Sequence, residues 1–121
     1  METKAFPCSS EGIVGAQGFL ESVCGSPKPA VVLDEIVSNI VRCSGASSFS
    51  LGLAQTDDGL EMVFSDDGTA FDPLTEVAAP DITAGVEDRG IGGLGIFMVK
   101  KMAKSAAYRR VDGKNVLTVV V

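Results

Sequence analysis

Apolar positions in this chain change their period several times, and each change marks an element. Glu2 to Phe6 alternates as a short edge strand that stops at Pro7. Ser9 or Ser10 can cap a helix whose imperfect apolar stripe is Ile13, Val14, Phe19, Leu20 and Val23. Gly12, Gly15 and Gly18 weaken that helix, and Gly25-Ser26-Pro27 ends it. A second helix starts near Lys28 to Pro29, where proline is tolerated in the first turn. Leu33, Ile36, Val37, Ile40 and Val41 recur there at helical spacing until Gly45. Phe49, Leu51 and Leu53 then alternate with small residues as a strand, Asp58-Gly59 marks a tight turn, and Leu60 to Ser65 returns as a hairpin. Phe71 to Asp88 has no clear period and reads as a long loop, functional or mobile by its length. Gly95 opens a third helix, with Ile96, Phe97, Val99, Met102 and Ala103 on its apolar side. Ala106 to Val111 and Asn115 to Val121 form a second hairpin across Asp112-Gly113.

Helices and hairpins that segregate in this way predict an α+β two-layer sandwich. The 121 residues suit one domain, 1–121, with one core. With 45% apolar residues, the chain needs no metal or disulfide to fold. Cys8, Cys24 and Cys43 are odd in number and widely spaced, so free thiols are expected. The absence of histidine removes Ser-His-Asp and Cys-His catalysis, histidine metal sites and a histidine phosphoacceptor. A net charge of −6 argues against non-specific nucleic-acid binding and favours a protein or small-molecule partner. No apolar run approaches a membrane span, and the N-terminus lacks signal-peptide features, so a cytoplasmic protein is expected.

Three stretches carry candidate chemistry. Glu35 and Asn39 lie one helical turn apart and share a face, nearly opposite Leu33, Ile36, Val37 and Ile40. That face is either an ordinary polar back or a site wall that offers a base and a magnesium ligand side by side. Asp66-Asp67-Gly68 ends a strand in an acidic turn, which is either only a turn or a carboxylate that reads a donor on a nucleobase. Gly90, Gly92, Gly93 and Gly95 run into the third helix, as a flexible loop with a helix cap or as a phosphate cradle at a helix N-terminus. Gly90-x-Gly92-x-x-Gly95 matches a dinucleotide fingerprint only formally, because no strand precedes it.

Taken in order, these pieces resemble the boxes of the Bergerat-fold GHKL ATPases. LDEIVSNI is similar to the N box, with Glu35 and Asn39 matching its acidic residue and asparagine; DDGTAFDP matches the DxG box through Asp66 and Gly68. GGLGIFMVKKM matches the GxG box through Gly93 and Gly95, which flank Leu94, and NVLTVVV resembles the last strand. The resemblance covers about residues 28–121, and three boxes in order are far more specific than one. The FDP and GGLGIFMVKKMA stretches look most like the anti-sigma-factor serine kinases. The resemblance implies a mixed, mostly antiparallel sheet with helices on one face. It also implies ATP and magnesium, with Asp66 accepting from the adenine amino group and Gly68 letting the base approach. Asn39 would ligate the metal, Glu35 would act as general base, and Gly93, Leu94 and Gly95 would hold phosphates. Arg89 would reach the terminal phosphate from a lid near 73–92. The threonine that commonly sits near the last strand has its nearest matches in Asn115 and Thr118. Implied partners are an anti-anti-sigma antagonist phosphorylated on serine, a sigma factor, and a second copy, since the family often dimerises. A non-catalytic nucleotide-binding regulatory module and an isolated histidine-kinase ATP-binding domain are the alternative readings.

Overall fold

The structure, a computed structural model, describes residues 1–76 and 93–121. Strand β1 (Glu2–Pro7) leads to helices α1 (Ser10–Val23) and α2 (Pro27–Cys43). The hairpin β2 (Ser48–Thr56) and β3 (Gly59–Asp66) follows, then a one-turn helix α3 (Pro73–Glu76). Helix α4 (Gly93–Met102) and the hairpin β4 (Ser105–Val111) and β5 (Lys114–Val120) complete the chain. The five strands form one sheet in the order β1-β2-β3-β5-β4, and each neighbouring pair is antiparallel. This is the expected α+β sandwich, with no parallel pair among the described residues.

Both hairpins close with two-residue loops. Thr56 pairs with Gly59 around Asp57-Asp58, so Gly59 already belongs to the return strand, at φ +137°. The Thr56 hydroxyl accepts from the Asp58 N–H at 3.2 Å and donates to the Gly59 carbonyl at 2.9 Å. Val111 pairs with Lys114 across Asp112 and Gly113, which take φ of +51° and +75°. Positive φ at both central residues matches the twist of the flanking strands, and Asp-Gly is among the pairs that tolerate it.

One sheet face alternates into the core through Phe49, Leu51, Leu53, Leu60, Met62, Phe64, Leu117 and Val119. The helices supply Phe19, Leu20, Val32, Leu33, Ile36, Val37, Ile40 and Val99 against it. Fully burying one such side chain contributes about 1.5–3 kcal/mol, so this interface is the main source of stability. Helix α2 packs against α1, α4 and β3 together, which leaves it little free surface. The α1 stripe is narrower than expected, since Val14 is 65% exposed while Gly12 and Ala16 are buried. Helix α4 starts at Gly93, two residues before the expected Gly95. No described helix is long and apolar enough to cross a membrane.

The three α1 glycines are not equivalent. A Cβ on Gly12 would stand 1.7 Å from the Pro7 carbonyl oxygen, so the start of α1 lies on the end of β1 only because no side chain intervenes. A Cβ on Gly18 would meet nothing within 4 Å. Gly12→Ala should therefore destabilise the fold by about 1–3 kcal/mol through forced backbone displacement. Gly18→Ala should stabilise it by about 0.5–1 kcal/mol through helix propensity. Urea unfolding of the two variants should move the midpoint in opposite directions; the same direction for both would discount the packing of α1 on β1.

Candidate functional site

Asn39 lies in the fourth turn of α2 and is 7% exposed, flanked by the buried Ile36 and Ile40. The expectation that Glu35 and Asn39 form a face opposite the apolar stripe does not hold for Asn39. Helix α2 is enclosed by α1, α4 and the sheet, so its buried arc is wider than one stripe. The Asn39 amide has no hydrogen-bond partner among the described residues. A buried amide without a partner costs about 1–3 kcal/mol unless water or a ligand meets it in the pocket that it lines. Glu35 sits one turn earlier and is half-buried.

Asp66 ends β3 on the core face and is 7% exposed. Its Oδ1 accepts from the Gly68 N–H at 2.9 Å and from the Asn115 side-chain amide at 3.1 Å. Oδ2 accepts nothing from the described residues. The turn that follows is fastened to the end of α2, where the Ser44 carbonyl accepts from the Thr69 N–H at 2.9 Å. A Cβ on Gly68 would come within 2.2 Å of that same carbonyl oxygen. Gly68 therefore serves first to seat the turn on α2, a role that the expected approach of a base did not anticipate. Arg110 of β4 donates to the Gly68 carbonyl at 2.8 Å from the opposite side.

Beside these residues lies a small cleft of about 30 Å³, open to solvent on one side. Ile36, Ile40, Phe64, Phe71, Pro73 and Leu117 make its apolar walls, and Asn39, Ser44, Asp66, Tyr108 and Asn115 its polar ones. Asn39, Ser44, Asp66 and Asn115 are the four buried polar side chains among the described residues, and all four meet here. An apolar slot with a few convergent polar groups is the usual form of a small-ligand site. Pro73, at the start of the expected lid, and Phe71, just before it, are part of it.

Sequence reasoning named Asp66 and Asn39, which line the pocket, and Gly68, which seats the turn beside it, but missed Ser44, Tyr108 and Phe71. Of the two candidates near the last strand, Asn115 faces the pocket. Thr118 lies on the other face of β5, beside Val63 and Ala107, because alternation separates 118 from 115 and 117. Gly93, Leu94 and Gly95 form the first turn of α4, which packs on α2. Arg89 and the lid residues 77–92 lie outside the described residues.

Cys8 stands near the acidic turn. Burial, then the Asp66 and Asp67 carboxylates, push its thiol up, which keeps it protonated and a poor nucleophile. Cys8 and Cys24 are free thiols. Among the described residues no three Cys, Asp or Glu side chains gather to hold a metal. A cation here would rest on the Asn39 oxygen, ligand phosphates and water, a donor set that suits magnesium.

Residues 28–121 match the model of the histidine kinase-like ATPase domain, which carries ATP as its implied ligand. The chain is also 30% identical over 86 residues to the serine/threonine-protein kinase BtrW of Bordetella bronchiseptica, covering 71% of this chain. It spans 60% of that relative's length. With the matched region running from the start of α2 to the end of the sheet and holding every wall of the pocket, the chain belongs to the histidine kinase-like ATPase domain family.

Proposed function

We propose that this chain is an ATP-dependent protein serine kinase of the anti-sigma type. Its acceptor is a serine on a small antagonist protein, and a sigma factor is its second partner. The observation that carries the reading is the convergence of all four described buried polar side chains on one apolar slot at the end of α2. The kinase name of the BtrW relative supports the reaction class. The motif resemblance supports the partners.

In this reading the adenine ring enters between Ile36, Ile40, Phe64 and Leu117, and Asp66 accepts from its amino group. Asn39 would hold magnesium through its side-chain oxygen, and the metal would neutralise phosphate charge. The backbone N–H groups of Gly93 to Gly95, in the first turn of α4, face the phosphates with the positive end of the helix dipole. Arg89 adds charge at the terminal phosphate from a lid over residues 73–92. The serine oxygen attacks the γ-phosphorus as the bond to the bridging oxygen of ADP breaks, and Glu35 takes the serine proton. Positioning and electrostatics supply most of the rate in such transfers.

Asp66→Asn should weaken ATP binding by about 1–3 kcal/mol, since an amide nitrogen would then compete for the place of the acceptor. Calorimetry with ATP and magnesium measures this, and unchanged affinity removes Asp66 from the base site. Asn39→Ala should abolish the dependence of ATP affinity on magnesium. It should not lower the melting temperature of the ligand-free protein, because the amide it removes has no partner. Titrations with magnesium and with chelator, beside a ligand-free melt, separate the two effects. Glu35→Gln should keep near-normal ATP affinity and lose about 10²–10⁴-fold in phosphotransfer to a co-encoded antagonist. If the wild type binds that antagonist in a nucleotide-dependent way but transfers nothing, the chain is a non-catalytic switch. If Glu35→Gln transfers at the wild-type rate, the base is misassigned.

A further inference from the structure

We infer that Asn115 sets nucleobase selectivity by locking the Asp66 carboxylate in one orientation, an inference that rests on the nucleotide reading above. A side-chain amide has two N–H donors and one oxygen with two lone pairs. Asn115 uses all four. Its oxygen accepts from the Phe71 N–H at 3.2 Å and from the Tyr108 hydroxyl at 2.5 Å. Its nitrogen donates to the Thr69 carbonyl at 2.9 Å and to Asp66 Oδ1 at 3.1 Å.

The amide cannot be flipped. The Phe71 N–H only donates and the Thr69 carbonyl only accepts, so each end of the amide is assigned by a backbone group. Those two groups belong to one short segment, and that segment is held on the Ser44 carbonyl through Thr69. The remaining amide hydrogen therefore has to point at Asp66. With the Gly68 N–H it gives Oδ1 two donors, and rotating the carboxylate would break both bonds at once. Oδ2 is left as an acceptor of fixed direction, and Asn115 has no hydrogen left to offer a ligand.

Such a wall accepts an exocyclic amine and opposes an exocyclic carbonyl. Adenine and hypoxanthine differ in that group, so ATP and ITP are the probes. Without Asn115 the carboxylate can turn away from a carbonyl, and discrimination falls. Asn115 is thus a positioning residue that acts through Asp66, on the strand face that the sequence left open between residues 115 and 118.

The test is calorimetry of ATP and ITP, each with magnesium, on wild type, Asn115→Ala and Asn115→Thr. Wild type should favour ATP by about 10²-fold, the scale of leaving one buried acceptor without its donor. Asn115→Ala should lower that ratio by about tenfold, with Asn115→Thr in between because its hydroxyl keeps one donor. A uniform loss of affinity for both nucleotides with an unchanged ratio is the signature of a structural role and overturns the inference. Wild type that binds ATP and ITP alike overturns the nucleotide reading of Asp66 itself. A second measurement needs no variant: in nucleotide-free wild type the two Asn115 side-chain N–H protons should be protected from solvent exchange. Fast exchange of both would mean that the lock does not exist.

Discussion

The contact between the C-terminal end of α2 and the turn after β3 is the joint on which the pocket depends. One carbonyl, that of Ser44, accepts the Thr69 N–H and lies against the bare Cα of Gly68. Without that contact the helix that carries Asn39 and the strand that carries Asp66 would share a core but no site. The joint sits where α2 ends, and Gly45 at φ +72° lets the chain turn away toward β2 just after it. Arg110 and Asn115 reach the same turn from the far hairpin, so the turn is held from the helix side and from the sheet side.

The sandwich is divided along its length. Most of the interface between helices and sheet is apolar and closed, as expected of a core that supplies folding energy. At one end the buried residues are polar, and there the close packing gives way to a pocket. Buried polar groups destabilise a fold unless they are paired. Asp66 and Asn115 pair with each other and with the backbone around them, whereas the Asn39 amide has no partner among the described residues. The stability lost at that end is the usual accompaniment of a preorganised binding site.

Local chemistry made much of the fold legible. Asp112-Gly113 specified its hairpin because so few residue pairs accept positive φ twice, and the spacing of Leu33, Ile36, Val37 and Ile40 specified α2. The position of Asn39 was misjudged for a physical reason. Helical periodicity assigns one buried face, and α2 is covered on several. The sequence pointed to Gly68 but not to the Ser44 carbonyl that it accommodates, which lies 24 positions away in sequence and which no local pattern encodes. The choice between Asn115 and Thr118 turned on strand parity. Val116 and Val120 on the outer face are as apolar as Leu117 and Val119 on the inner one, so alternation in hydrophobicity could not decide it.

The strand order has a temporal consequence. Strand β3 lies between β2, its neighbour in sequence, and β5, which is made some fifty residues later. During synthesis β1, β2 and β3 can pair as soon as they emerge, but the second edge of β3 stays open until the β4–β5 hairpin arrives, and open edges invite mispairing. The polar end of the pocket is unfinished for the same interval, since one of its four buried polar residues travels on β5. The walls of the pocket are therefore complete only when the last strand, with Asn115 and Leu117, has been inserted.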